Sequence, residues 1–274
     1  MAEPLHSVPS LPLRAARAAT VHPSAVVDPG ARLADGVIVG PLCYVGADVV
    51  LGSGTELVAQ ATVLGPARIG EGNVVYPHVT LGAPPQDRTW SGEPTELVIG
   101  DRNVFRESST VHRGTAKGGG TTRIGSDCLV MVGAHVAHDC DVADGVTLTN
   151  YTSLGGHVVV GRRAVIGGHV AIAPFVRVGE VSFAAGGAMI ERDVPPYVIV
   201  AGDRARVRAL NRVGLLRSGI PDGSRVALER AFRALYRSGE PLAVAARAAE
   251  AELGADPFVR RLLDFLAASA LPRT

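Results

Sequence analysis

A chain of 274 residues with 47% hydrophobic side chains can bury a sizeable core, and a net charge of +1 without runs of like charge gives no ground for a nucleic-acid partner. Aromatic residues make up only 4%, while glycine and proline number 33 and 18, which favours short strands parted by tight turns over helices packed on aromatic anchors. With no apolar run of signal-peptide length near the start and none approaching ~20 residues later, the expectation is a soluble, cytoplasmic protein without a transmembrane segment.

After an N-terminal extension at 1–20, the chain from residue 25 reads in sixes: AVVDPG ARLADG VIVGPL CYVGAD VVLGSG TELVAQ ATVLGP ARIGEG NVVYPH VTLGAP. The third position is aliphatic throughout, from Val27 to Leu81. The pattern resumes at Ile99, Phe105 and Val111, slips by one residue, and runs again from Ile124 to Val178. A sustained period of six fits neither a 3.6-residue helix nor a hairpin meander. It predicts a parallel β-solenoid in which each six gives one strand and one corner and about eighteen residues make a coil. Strand alternation turns the aliphatic residue and the residue two before it inward. The earlier column holds slim residues, including Cys43, Cys128 and Cys140, so the three cysteines are predicted core fillers, with neither a CxxC pair nor a disulfide framework. Glycines after the aliphatic residue (Gly40, Gly46, Gly52, Gly70, Gly82) predict corners that need positive φ or close backbone approach. The period does not fix the hand of the coil.

Two stretches interrupt the sixes, at 83–96 and 114–122, and loops ejected from a rigid scaffold are where function tends to sit. The solenoid, predicted over 21–200, stops near Pro195 and Pro196. Residues 201–274 read as a helical domain that caps one end, with Val226, Leu228, Phe232 and Leu235 largely on one helix face and Gly219, Gly239 and Gly254 as stops. This region carries 13 arginines against 8 acidic residues, which makes it the candidate surface for an acidic partner.

In MVGAHVAHDC, residues 131–140, the columns place Ala134, Val136 and Cys140 inside, turn His135 outward and leave His138 at a corner. Three readings stand side by side: solvated surface histidines, a metal site, or an acid–base centre. His112, His135, His138, His157 and His169 would supply imidazoles for zinc, although the sequence lacks the His-x4-His pair of the γ-class carbonic anhydrases. As a base, His138 could be oriented by Asp139, and one coil onward Gly156 and His157 would lie beside it, the glycine amide offering an oxyanion donor.

The segments IGDRNVFRESSTVHRGT (99–115), GAHVAHDC (133–140), QDRTWSGEPT (86–95) and DVPPYVIVAGD (193–203), in this setting of repeats and helical tail, resemble the UDP-N-acetylglucosamine O-acyltransferases that begin lipid A synthesis. The resemblance implies a left-handed parallel β-helix assembled as a homotrimer with clefts between subunits. It implies transfer of a 3-hydroxyacyl group from the thioester of an acyl carrier protein to the 3-hydroxyl of a UDP-amino-sugar, with no metal and no cofactor. By position it makes His138 the general base, His135 and His157 cleft residues, and Gly156 the residue whose amide faces the thioester carbonyl. Asp87 matches a substrate-contacting acid, Asn211 and Arg217 nucleotide-side contacts, and Gly186 a position limiting acyl-chain length. The chain departs from the family pattern at Thr89, where lysine is common, and at Ala173, Pro174, Val213 and Ser218. These departures leave two alternatives: a paralogue acylating another acceptor, such as a 3-amino sugar nucleotide, or a non-catalytic trimeric binding protein. Arg204, Arg206, Arg208 and Arg212 read either as a solvated helix start or as a landing strip for the carrier protein. Trp90 reads as a cover over substrate or a neighbouring subunit, or as loop packing.

Overall fold

The computed structural model describes residues 18–269, so the extension predicted at 1–20 lies outside the described residues as far as residue 17. Strands recur every six residues, and each pairs in parallel with the strand one coil on, as in Thr20↔Ile38, Val26↔Tyr44 and Arg32↔Val50. The pairing builds three sheets of eleven, nine and eight strands, the faces of a left-handed parallel β-helix. Its interior is the stacked apolar column: Val39, Leu57, Val75, Phe105, Val130, Leu148 and Ile166 are each at most 1% exposed. In the first coils Ala25, Val27, Ala31 and Leu33 are only partly buried.

The slim column also behaves as predicted. Cys43, Cys128 and Cys140 are buried and free, and burial pushes the thiols of Cys128 and Cys140 up to about 11 and about 12. Asn73 and Asn103 stand in the same column without cost because each amide is bonded. Asn73 Nδ2 donates to Gly100 O at 3.0 Å, and Asn103 Nδ2 donates to Gly125 O at 2.9 Å. The corner glycines serve close approach more than positive φ: a β-carbon on Gly40 would lie 1.9 Å from Val58 O, whereas only Gly82 of the five has φ in the left-handed region, at 75°. Nothing comes nearer than 3.5 Å to a β-carbon at Gly46, and nothing in the structure explains that glycine. The left-handed turn positions fall instead largely on other residues, among them Asp139, His157 and Phe175.

Both inserts leave the solenoid at one edge, between the nine- and eight-stranded sheets. The first joins strands Thr80–Ala83 and Glu96–Ile99; the second joins Thr110–His112 and Thr121–Ile124 and contains a 3-10 turn, Ala116–Gly118. Strand pairing therefore reaches into both predicted insert ranges. Pairing jumps across them, Thr80↔Thr110 and Thr110↔His135, and then returns to single-coil steps with His135↔Ser153.

At the far end, strand Val198–Ala201 continues the largest sheet and Arg206–Leu210 folds back antiparallel on it as its eleventh strand. Of the arginines read as a helix start, Arg206 and Arg208 thus lie on an edge strand and Arg204 in the turn before it, and helix begins only at Arg212. Helices α1 (Arg212–Arg217), α2 (Asp222–Arg237), α3 (Leu242–Leu253) and α4 (Pro257–Ser269) follow. The buried face of α2 is Leu228, Ala231, Phe232 and Leu235. Val226, predicted to share it, is 61% exposed, because two residues on a helix turn the side chain by about 200°. Gly219 and Gly239 have the left-handed φ of helix stops, 71° and 82°. Gly254 does not, and is instead crowded: a β-carbon there would lie 2.4 Å from Glu250 O. Arg177 ties α4 to the solenoid, donating to Asp193 Oδ2 at 2.8 Å and to Ser269 Oγ at 3.1 Å. Among the described residues no helix is long and apolar enough to cross a membrane.

Candidate active site

The corner between the nine- and eight-stranded sheets carries His138 and Asp139 on one coil and Gly156 and His157 on the next. Asp139 occupies a left-handed turn position, φ 59°, which folds its side chain back under the preceding residue. His138 Nδ1 lies 2.8 Å from Asp139 Oδ2, and with the carboxylate as acceptor it is Nδ1 that carries the proton, leaving Nε2 with a lone pair. The ring sits directly over Gly156: a β-carbon there would be 2.6 Å from His138 Cε1 and 2.8 Å from Nε2. Among the described residues the Gly156 N–H has no acceptor, while its carbonyl accepts from Phe175 N–H at 3.0 Å. His157 stands edge-on to His138, centroids 5.3 Å apart, and stacks on Phe175 at 4.3 Å. Its pKa is lowered, first by desolvation, against the opposing pull of Asp139.

Asp139 is the hub. Its carboxylate, 1% exposed, accepts the Thr115 N–H on Oδ1 at 2.8 Å and the Thr115 hydroxyl on Oδ2 at 2.6 Å; its own N–H donates to Thr122 Oγ1 at 2.8 Å. The second insert therefore clamps the carboxylate that orients His138. His138, Asp139 and His157 are also the group whose metal-donor atoms lie within 4.8 Å of one another among the described residues. Because Asp139 already accepts from Thr115 twice and from His138, its oxygens serve here as hydrogen-bond acceptors, and a metal ion would have to displace those donors.

His135 points outward from the nine-stranded sheet, its Nδ1 2.8 Å from Thr110 Oγ1, and it meets the His112 ring edge-on at 5.2 Å. Desolvation first, then the neighbouring His112 and His138, push its pKa down to about 4; His112 is lowered mainly by burial and donates to Pro84 O at 2.6 Å. Both rings are therefore neutral at working pH. Asp87, in the first insert, is 13% exposed and accepts the Thr89 N–H and hydroxyl on Oδ1 at 2.8 and 2.9 Å, while Lys117 of the second insert reaches Oδ2 at 2.7 Å. The Lys117 hydrogen bond, then the Thr89 bonds, hold the Asp87 carboxyl well below the usual carboxylate range.

The remaining predicted residues lie elsewhere. Gly186 is at the other edge of the nine-stranded sheet, three coils beyond the His138 coil. Asn211 caps α1, accepting from Gly214 N–H at 3.0 Å, and its amide donates to Val181 O at 2.7 Å, so its side chain is committed to holding α1 on the solenoid. Arg217 is exposed at the end of α1. Arg204, Arg206 and Arg208 are exposed and make no ion pair among the described residues, whereas Arg212 meets Glu229 at 2.6 Å. Trp90 packs within its own loop, its indole N–H 3.4 Å from Glu93 O and the Arg113 guanidinium 5.9 Å from its ring. Thr115 and Lys117 were not singled out from the sequence. For Thr115 there was no signal beyond its lying in an insert, but Lys117 had one: it is the only lysine of the chain.

Residues 193–273 match a family model described as UDP N-acetylglucosamine O-acyltransferase, domain 2. Two relatives named acyl-[acyl-carrier-protein]--UDP-N-acetylglucosamine O-acyltransferase are similar over nearly the whole chain. The one from Anaeromyxobacter sp. is 42% identical, covering 90% of this chain and 96% of its own, and the one from Syntrophobacter fumaroxidans is 43% identical, covering 91% and 97%. A crystal structure of UDP-N-acetylglucosamine O-acyltransferase from Moraxella catarrhalis superposes with a TM-score of 0.88 at 36% identity, over 92% of this chain and 98% of that one. The identity spans solenoid, both inserts and helical tail together, and the chain belongs to the UDP-N-acetylglucosamine O-acyltransferase family.

Proposed function

We propose that the chain transfers a 3-hydroxyacyl group from an acyl carrier protein thioester to the 3-hydroxyl of a UDP-N-acetylglucosamine-type sugar nucleotide, the entry step of lipid A synthesis, working as a cytoplasmic homotrimer. One observation carries the reading: a histidine oriented by a buried carboxylate lies directly over a glycine whose N–H has no acceptor among the described residues. His138 Nε2 takes the proton of the acceptor hydroxyl as its oxygen attacks the thioester carbonyl carbon. Negative charge gathers on the carbonyl oxygen, where the Gly156 N–H donates to it. The C–S bond then breaks, and the pantetheine thiolate leaves with the proton held by the imidazolium. Asp139 keeps Nδ1 protonated and the ring aimed, which a positioned base requires for its ~10²–10⁴-fold contribution.

His135 and His157, neutral and half-buried, line the cleft. Asp87, Asn211 and Arg217 serve the sugar nucleotide, Asn211 by holding α1 in place. An acyl chain laid from Gly156 across the nine-stranded face to Gly186 would climb two coils, ~10 Å at the usual strand spacing. The exposed row Arg204, Arg206 and Arg208 offers the acidic carrier protein its approach. Purified His138→Ala protein is expected to lose transfer activity by at least two orders of magnitude while keeping its melting temperature; near-wild-type turnover would overturn the mechanism. The same assay with a 3-amino sugar nucleotide decides the second reading, favoured by Ala173, Pro174, Val213 and Ser218. Preferred transfer to the amine would reassign the acceptor and leave the base in place.

A further inference from the structure

On the basis of the proposed reaction, we infer that Lys117 is an acceptor-binding residue, which with Asp87 reads one hydroxyl of the sugar. The chain uses arginine for every other cation of the Lys+Arg pair, 26 against this single lysine. The site explains why the exception falls here. One nitrogen, Lys117 Nζ, lies 2.7 Å from Asp87 Oδ2 and 2.6 Å from Thr89 Oγ1. Two acceptors converging on a single atom suit a compact ammonium with three tetrahedral hydrogens; a guanidinium spreads its donors over a planar fork.

The inventory of donors and acceptors then points to the ligand. An ionised carboxylate offers about four acceptor positions. On Asp87 the Thr89 N–H and hydroxyl occupy Oδ1, and Lys117 takes one position on Oδ2. One position on Oδ2 and one ammonium hydrogen are left side by side. A group that both donates and accepts one hydrogen bond completes them, and a sugar hydroxyl is such a group. The carboxylate is nearly covered while Lys117 is 56% exposed, so the pair has one open side.

Lys117 also stands in the right place. The adjacent Gly118 rests against the Asp139 carboxylate so closely that a β-carbon there would fall 2.1 Å from Asp139 Cγ. One short turn, Ala116–Gly118, thus touches the acid that orients the base on one side and the acid that meets the acceptor on the other. Moving this turn would move the acceptor hydroxyl relative to His138, which is why an exposed cation at this point bears on specificity.

Calorimetric titration of the full chain with UDP-N-acetylglucosamine, with UDP alone and with deoxy-sugar analogues tests the inference. Lys117→Met is expected to weaken UDP-N-acetylglucosamine at least tenfold, to leave UDP within twofold, and to leave the carrier-protein KM and the melting temperature unchanged. Asp87→Asn should give a similar loss, and the double variant no more than the larger single one, because the two act on one hydroxyl. The penalty should disappear for the analogue lacking that hydroxyl. Equal binding by wild type and Lys117→Met overturns the inference, as does a loss of the same size for UDP, which would place the ammonium on the diphosphate. If the wild type fails to bind UDP-N-acetylglucosamine at all, the proposed acceptor fails with it.

Discussion

Gly156→Ala separates a packing role from a catalytic one at the centre of the site. Gly156 has no left-handed φ, so alanine adopts the same backbone without strain and the amide stays where it is. What changes is the space under His138. The new methyl would stand 2.6 Å from Cε1 and 2.8 Å from Nε2, against an ordinary separation of ~3.5–4.0 Å. The ring must therefore retreat by about 1 Å, a displacement worth on the order of 10²-fold in rate when it falls on a reacting group. The same retreat stretches the 2.8 Å contact to Asp139 beyond hydrogen-bond length. His138 is at a corner with a partly exposed ring, and it can swing outward, so the cost to folding stays small. The expectation is a ~10²-fold fall in kcat/KM, measured with acyl carrier protein thioester and UDP-N-acetylglucosamine, with a melting temperature within a few degrees of wild type. A variant with kcat/KM within threefold of wild type would show that His138 need not sit over Gly156 for turnover.

Thr115→Val keeps the amide bond to Asp139 and removes two hydroxyl bonds, the one donated to Asp139 Oδ2 and the one accepted from Gly118 N–H at 3.2 Å; the loss of the bond to the buried charge predicts ~1.5–3 kcal/mol less stability by urea unfolding and a roughly tenfold fall in kcat, with Thr115→Ser retaining all three. His135 has a folded-state pKa depressed to about 4 from 6.5. A proton therefore binds the unfolded chain first as pH falls. Stability from this group is intact above 6.5, declines between 6.5 and 4, and falls no further below. Across that window a His135→Gln variant should lose less melting temperature than wild type, and identical profiles would refute the burial argument. Cys43, Cys128 and Cys140 are buried, so iodoacetamide should label none in the native protein and all three in denaturant, counted by mass spectrometry. Reversing Arg206 and Arg208 to glutamate should raise the carrier-protein KM and flatten its salt dependence, while leaving binding of UDP-N-acetylglucosamine alone unchanged.

The fold was legible because every coil solves the same problem. An inward pair recurs each six residues, so the columns, the three sheets and the burial of the cysteines all follow from one period. Where the chain leaves the period, one pattern of side chains suits more than one local structure. Arginines at 204, 206, 208 and 212 look like a charged helix start, yet alternate side chains also suit an edge strand, whose exposed charges discourage sheet-to-sheet pairing. Val226 is apolar and stands two residues before the buried Leu228, but on a helix that spacing points the two side chains to opposite sides.

The site divides along the same line. His138, Asp139, Gly156 and His157 sit on solenoid columns, so adding one coil's length to His138 brings Gly156 beneath it without any structure in hand. Thr115 and Lys117 lie in a turn with no period, and their partners depend on the path of the loop. Yet even that path is constrained. An odd number of residues inserted within a strand would exchange inward and outward faces for those after it, whereas an insertion at a corner only lengthens a turn. Both inserts occupy the same corner on successive coils, and stacking then places them side by side at roughly one strand spacing. Residues 28 apart in sequence, Thr89 and Lys117, meet across that stack. The cation that the family pattern leads one to expect at Thr89 is supplied from the neighbouring loop, and only the register of the coils makes the exchange possible.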